Sequence, residues 1–166
     1  MANDKDVVRE FADEVFTKHN IEGSERYFTA DPVEHNPWPG YPPTVQGFKD
    51  GTAAFIAAFP DCRCEVDEVL SDGDKVIMRS RLIGTNSGSF MGMPATGKQV
   101  DVEGIDIVRM EGGRMAEHWG IFDGAGMMLQ GNRAREEVLA QNLREPPLLC
   151  AILRSLHFEQ YTLAAT

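Results

Sequence analysis

The sequence lacks long hydrophobic runs. None of its apolar stretches approaches the roughly 20 residues that a membrane-spanning helix needs. Residues 1–6 also lack the apolar core of a secretory signal peptide. We therefore expect a cytoplasmic protein that does not partner a membrane.

Cysteine is scarce as well. Cys62, Cys64 and Cys150 are an odd number and provide no disulfide framework, so reduced thiols are expected. Cys62 and Cys64 have no second pair of ligands at the spacing of a zinc site. The cysteines therefore predict neither a disulfide scaffold nor a zinc centre.

Basic residues are outnumbered. Sixteen lysines and arginines face 26 acidic residues, which gives a net charge of −10. Such a surface repels phosphate backbones and anionic lipids, so nucleic acid and membrane surfaces are poor partners. The length of 166 residues fits one domain, and 42% hydrophobic residues is ordinary for a globular chain. Most carboxylates are expected to keep the surface solvated, and a few are candidates for acid–base chemistry.

Helical spacing of apolar residues dominates the first part of the chain. It predicts helices over residues 5–19 and 47–59 and a helical turn at 24–28, with Asp4 or Asp6 capping the first helix. Between the two helices, five prolines within residues 31–43 exclude a regular helix. We expect a stiff, irregular segment there that carries His35, Asn36 and Trp38.

After Asp61 the hydrophobic period changes from 3.6 to 2. The alternation predicts four strands joined in part by hairpin turns at 71–74 and 111–113, namely 63–70, 75–84, 99–110 and 114–122. Helices followed by a meander of strands predict an α+β fold, with helices packed on one face of a curved antiparallel sheet.

The C-terminal part has a different character. Leucines at helical spacing follow Pro146-Pro147, so we divide the chain into a domain over residues 1–145 and an extension over 146–166. The extension is either a helix that docks on its own chain or on a partner, or the remnant of a fusion.

One glycine-rich stretch imitates a phosphate-binding loop. Residues 92–99 match G-x-x-x-x-G-K until the last position, where Gln99 replaces the hydroxyl residue that binds magnesium. Gln99 also opens an alternating strand, whereas a phosphate loop opens a helix. We interpret the stretch as a turn-rich loop, and we expect Phe90 and Met91 beside it to line a pocket.

The strongest chemical signal lies on the last two strands. Alternation places Asp106 on the inward face with Val102 and Val108, and it favours an inward His118. A hairpin centred on residues 112–113 pairs Asp106 with Trp119, which brings His118 within side-chain reach unless a bulge shifts the register. Burial favours a neutral acid, and a carboxylate raises the basicity of an imidazole. Asp106 and His118 are either an acid–base pair or a structural hydrogen-bonded pair.

A series of short motifs runs in order through residues 5–131. They are His35-Asn36-Pro37, Phe59-Pro60-Asp61, Gly73-Asp74, Gly84-Thr85, the stretch 90–98, Asp106-Ile107-Val108-Arg109, Gly113-Arg114, Glu117-His118-Trp119, Asp123 and Gln130-Gly131. Together they resemble the SnoaL-like polyketide cyclase family. The resemblance implies an NTF2-like, cone-shaped α+β barrel with a cavity under the N-terminal helices. It also implies a homodimer and an intramolecular aldol cyclisation without metal or cofactor.

The sequence departs from this family at two positions. The resemblance places the catalytic aspartate of the characterised cyclases at Gly120, and a family histidine at Asp106. Either the acid–base role has moved to Asp106 and His118, or the reaction differs. Asp123 is a further catalytic candidate, although its position favours a cap at the end of the strand. Gly120 either opens space for a ligand or marks a bulge.

Two hypotheses follow. The first is a cofactor-free enzyme of natural-product biosynthesis that cyclises, isomerises or hydroxylates a bulky, apolar carbonyl substrate. Its catalytic candidates are Asp106, His118 and Asp123, and its substrate-binding candidates are His35, Asn36, Trp38, Phe90, Met91 and Gly120. The second is a non-catalytic protein that binds a small molecule, which the glycine at position 120 favours.

Overall fold

The computed structural model describes residues 3–131. These residues form an α+β fold, as predicted. The helical elements are α1 (Asp4–Ala12), a π-helical turn (Asp13–Thr17), a 3₁₀ helix (Glu22–Tyr27) and α2 (Val45–Ala58). The strands are β1 (Phe28–Glu34), β2 (Arg63–Asp72), β3 (Lys75–Thr85), β4 (Gln99–Glu111) and β5 (Arg114–Phe122). A further helix begins at residue 124.

The helices begin at side-chain caps. Asn3, rather than the predicted Asp4 or Asp6, caps α1 by accepting a hydrogen bond from the Lys5 N–H at 3.2 Å. Thr44 caps α2 in the same manner through the Gly47 N–H. Both caps satisfy backbone donors that have no partner inside the helix.

The sheet has the strand order β1-β5-β4-β3-β2. The four predicted strands pair antiparallel, but β1 lies parallel to β5 at the edge. The prediction of an irregular segment over residues 31–43 was therefore wrong for its first part. Pro32 lies in an edge strand, within the irregular part of its pairing with β5, which is where a sheet tolerates proline. The sheet is curved and stays open, with β1 and β2 as its edges.

The core consists of two apolar clusters on the helix-covered side of the sheet. In the first cluster, apolar residues of α1 pack with strand residues that include Val76 and Met110. In the second cluster, apolar residues of α2 pack with Val100 and Met127. Five aromatic rings contact one another in and beside the first cluster, namely Phe11, Phe16, Tyr27, Phe28 and Phe48. The region between the clusters is the place where the fold leaves a cavity.

The stretch that imitates a phosphate loop is a loop, as predicted, and β4 begins at Gln99. The fully buried Asn86 organises it, because its Oδ1 accepts from the Thr96 N–H at 2.7 Å and its amide nitrogen donates to the Gly88 carbonyl. No helix within residues 3–131 is long and apolar enough to cross a membrane. The predicted boundary at residue 145, the extension 146–166 and Cys150 lie outside the described residues.

Candidate active site

A bulge in the β4–β5 hairpin determines which residues face each other. Beyond the irregularity between Arg109 and Met110, Asp106 pairs with Gly120 instead of Trp119. The predicted register was wrong by one residue, because the bulge adds a residue to one strand only. Since side chains alternate between faces, the shifted register places Asp106 and His118 on the same inner face.

Three side chains form a hydrogen-bonded row on this face. His118 Nδ1 lies 2.8 Å from Glu34 Oε2, and His118 Nε2 lies 3.0 Å from Asp106 Oδ1. The row therefore joins β1, β5 and β4 in their spatial order. The imidazolium form of His118 satisfies both contacts, because each ring N–H then donates to a carboxylate oxygen.

Two opposed effects determine the charge of His118. Burial lowers its pKa by disfavouring the charged ring, but the hydrogen bonds with Asp106 and Glu34 outweigh burial and raise the pKa from 6.5 to about 9. At neutral pH the ring is protonated and cannot act as a base. Among residues 3–131, His118 is the one hydrogen-bond donor to Asp106. Asp106 Oδ2 is therefore left to accept a proton.

Gly120 makes room for this arrangement. A Cβ at this position would lie 2.7 Å from Asp106 Oδ1 and 2.8 Å from His118 Cε1. The Asp106 carboxylate thus occupies the space that a side chain at residue 120 would fill. The bulge leaves Ala116 of β5 without a partner in β4, four residues before Gly120, so Gly120 itself lies in regular pairing.

A cavity of about 150 Å³ opens onto the row of polar groups. It is walled by residues of the helices and of the inner sheet face, and the rings of Phe11, Phe16, Phe28, Trp38, Phe48 and Phe122 contribute to it. Its ionisable lining residues are Glu34, Cys64, Asp106 and His118, and no lysine or arginine within residues 3–131 lines it. Burial raises the pKa of the Cys64 thiol to about 11, which keeps the thiol neutral.

Asn36 and Trp38 also line the cavity. Asn36 Oδ1 accepts a hydrogen bond from the Gly120 N–H at 3.3 Å, and its own backbone N–H donates to Glu34 Oε1 at 2.8 Å. The side-chain nitrogen of Asn36 has no acceptor in the described part of the chain. Trp38 is fixed by its Nε1–H, which donates to Thr52 Oγ1.

The other predicted site residues lie elsewhere. His35 is on the outer face of the sheet, where it contacts Glu117. Phe90 is buried in the second apolar cluster, and Met91 is 44% exposed at a turn with φ of 48°. Asp123 caps the helix that begins at residue 124, because its Oδ1 accepts from the Gly126 N–H at 2.8 Å. None of these four residues lines the cavity within residues 3–131.

Sequence reasoning missed Glu34. It lies in the proline-rich segment, where the alternation that sorts strand residues by face is too short to read. One signal was available: the dipeptide Glu-His occurs at 34–35 and again at 117–118. The significance of that repeat depends on the pairing of β1 with β5, which local patterns do not reveal.

The model of the SnoaL-like polyketide cyclase family matches residues 6–131. The chain belongs to this family. Comparison with curated proteins finds no match. Membership in the SnoaL-like family indicates a cyclase- or isomerase-type function.

Solved structures agree with the SnoaL-like assignment. A candidate polyketide cyclase from Acidithiobacillus ferrooxidans is 30% identical with a TM-score of 0.71, over 80% of this chain and 96% of that one. IdmH, a candidate polyketide cyclase from Streptomyces antibioticus, is 29% identical with a TM-score of 0.69, over 78% and 98%. AclR, a candidate hydroxylase from Streptomyces galilaeus, shares the fold at 21% identity and a TM-score of 0.69, over 78% and 96%.

Proposed function

We propose that this protein is an enzyme of natural-product biosynthesis that cyclises or isomerises a bulky, mostly apolar carbonyl compound by general acid–base chemistry. The observation that carries the proposal is the Asp106 carboxylate. One of its oxygens is held by the His118 imidazolium, and the other has no donor within residues 3–131. A positioned base in an aromatic-lined cavity is suited to removing a proton next to a carbonyl.

The reaction begins with Asp106. Its Oδ2 takes a proton from the carbon alpha to a substrate carbonyl, and the electron pair of the broken C–H bond forms the enolate. In a cyclisation, the enolate carbon bonds to a second carbonyl of the same molecule, and the new alkoxide recovers the proton from Asp106. In an isomerisation, the proton returns to another carbon. Neither route changes the number of atoms or electrons in the substrate.

His118 and Asn36 assist without exchanging the substrate proton. The His118 imidazolium holds the Asp106 carboxylate in place. Its positive charge also offsets the cost of keeping the negative charge of Asp106 in a partly enclosed site. The free amide nitrogen of Asn36 is a donor for the enolate oxygen as charge develops there. General acid–base catalysis of this kind contributes roughly 10²–10⁴-fold in rate.

The cavity chemistry defines the substrate class. Aromatic rings provide most of the contact surface, and two carboxylates outnumber the single imidazolium. An anionic ligand would lose its hydration beside these carboxylates, whereas a neutral ketone or ester has no charge to desolvate. The proposed substrates are therefore neutral, polyketide-like or terpenoid-like carbonyl compounds.

The alternative is a non-catalytic protein that binds an apolar metabolite. The observation that favours it is Gly120, since the resemblance to characterised cyclases places the catalytic acid at that position. The two hypotheses differ in whether the bound compound undergoes proton exchange, which can be measured without knowing the natural product.

The test follows deuterium incorporation at the alpha carbon of a neutral aryl β-keto ester in D₂O by NMR. The wild type should exchange the proton faster than buffer, and Asp106→Asn should lose roughly 10²-fold or more of that rate. Asp123→Asn is the matched control, because an asparagine still caps the helix and the residue lies outside the cavity. Its rate should equal that of the wild type.

Calorimetry with the same ester completes the experiment. Binding without exchange above the buffer rate would overturn the enzyme proposal in favour of the binding protein. Wild-type exchange by Asp106→Asn would leave an enzyme but remove Asp106 as its base.

A further inference from the structure

The two Glu-His dipeptides of the chain lie side by side and pair crosswise. In the parallel β1–β5 ladder, Val33 faces Glu117 and Glu34 faces His118. On the inner face, Glu34 Oε2 and His118 Nδ1 form a hydrogen bond of 2.8 Å. Because side chains alternate, the neighbouring residues form a second pair on the outer face, where His35 Nε2 lies 2.8 Å from Glu117 Oε1.

Three interactions hold the outer pair. The His35 ring stacks on Trp119 with 4.7 Å between ring centroids and 4° between planes. Glu117 also accepts a hydrogen bond from Arg109 Nε at 2.9 Å. The backbone contributes one bond, from the His35 N–H to the His118 carbonyl at 3.1 Å. The outer pair therefore connects β1 to β5 and β4.

β1 depends on such a connection more than the other strands do. It is an edge strand with one neighbour, and its pairing with β5 is irregular between Phe28 and Val33. Pro32 lies in that interval and has no N–H to donate. The end of this irregular strand nevertheless brings Glu34 to the site, and Asn36 follows two residues later.

We propose that His35 and Glu117 are positioning residues whose outer-face pair holds β1 in the register that brings Glu34 to His118. This inference rests on the proposed function for its catalytic meaning, but its structural claim concerns the free protein. Through Glu34, the outer pair keeps His118 protonated and thereby keeps Asp106 in place. Neither positioning residue lines the cavity among the described residues, so neither contacts substrate.

The charges around the two pairs determine which change in the His118 pKa would indicate a change in geometry. Glu34 and Asp106 face His118 on the inner side, whereas Arg109 and Lys75 accompany Glu117 and Trp119 on the outer side. Replacing His35 removes a group that is either neutral or positive. Removal of a positive neighbour can raise the His118 pKa but cannot lower it. A fall therefore reports a change in geometry.

The experiment is an NMR titration of the histidine side chains in the full chain, which contains four histidines. The probe is the His118 pKa in the wild type, His35→Ala and His35→Phe, with folding checked by thermal unfolding. We expect His35→Ala to move the pKa from about 9 toward 6.5. His35→Phe keeps the ring stack but loses the bond to Glu117, so its shift should be smaller and of the same sign.

Two further variants make the test specific. Val33→Thr alters an outer-face residue of β1 that is 48% exposed, and it should leave the His118 pKa unchanged. In a Glu34→Gln background, His35→Ala should add no further fall, since the outer pair acts through Glu34. A wild-type pKa in folded His35→Ala and His35→Phe, or an equal fall with and without Glu34, would overturn the proposal.

Activity separates this inference from the proposed function. If the wild type exchanges no substrate proton but His35→Ala still lowers the His118 pKa, the proposed function fails and the positioning role stands. If the wild type exchanges the substrate proton but His35→Ala leaves the His118 pKa unchanged, the proposed function stands and the positioning role fails. In an active enzyme, His35→Ala should lower kcat with little change in KM, because no substrate contact is lost.

Discussion

Asp106 and Gly120 face each other across the β4–β5 pair, and the Asp106 carboxylate occupies the space above the bare Cα of Gly120. The acid and the glycine are therefore two parts of one arrangement. Gly120 has no side chain, and a carboxylate from the neighbouring strand extends into the space that a side chain there would fill. Any side chain at residue 120 would compete with the contact between Asp106 and His118.

The first prediction concerns Gly120→Ala. The added Cβ would meet Asp106 Oδ1 at 2.7 Å and displace it from His118. We expect the alpha-proton exchange rate to fall roughly 10-fold or more, as for the loss of a positioned base, and the His118 pKa to fall below 9. Gly104→Ala is the control, because its Cβ would meet its nearest neighbour at 3.4 Å in the same cavity wall. Equal rates in the two variants would contradict the steric argument.

The second prediction is a pH dependence of stability. The pKa of His118 is raised in the folded state, so its stabilisation is complete below pH 6.5 and is lost as the pH rises through about 9. The shift corresponds to about 3 kcal/mol in the free energy of unfolding. Denaturant titrations across this range should show a decline in the wild type and a flatter profile in His118→Gln. Identical slopes would show that His118 is not the titrating group.

A third prediction concerns ligand charge. No lysine or arginine within the described residues lines the cavity, and carboxylates outnumber the imidazolium there. A carboxylic acid should bind at least roughly 10-fold more weakly than its methyl ester, because the acid must be desolvated beside like charge. Calorimetry with an aryl β-keto ester and a stable carboxylate analogue of the same size measures the ratio. Tighter binding of the carboxylate would refute the proposed substrate class.

The fourth prediction separates stability from catalysis at Asp123. Its Oδ1 caps the helix that begins at residue 124, so Asp123→Ala should lower the free energy of unfolding by about 1 kcal/mol. The exchange rate per folded molecule should not change, since the residue lies outside the cavity wall. A loss of exchange in the folded variant would restore Asp123 as a catalytic candidate.

The sequence contained enough to predict most elements. The second helix and all four antiparallel strands lie within a few residues of their predicted positions, because the periods of 3.6 and 2 are local properties of the chain. The predicted first helix is α1 only to Ala12, and it continues to Thr17 as the π-helical turn. Alternation also placed Asp106 on the inner face, and the structure has it there. The register of the hairpin could not be predicted in this way, since one bulged residue, Ala116 of β5, changes every pairing from Arg109 back to Gly104.

The site required information that no local pattern carries. Motifs along one strand cannot reveal that β1 lies parallel to β5, because the two strands are separated by some 80 residues of sequence. That pairing brings Glu34 to His118 and moves His35 to the opposite face. The same pairing explains why a histidine predicted to contact substrate instead faces Glu117.

The sequence by itself determined the α+β class, the strand faces and the inward acid, because each follows from the alternation of apolar and polar residues along a short segment. Only the tertiary structure decided the partners of that acid. Hydrogen bonds between strands join residues far apart in the chain, and their register depends on bulges and edge pairing. The combination of Glu34, His118, Asp106 and the empty position at Gly120 is therefore a property of the folded sheet.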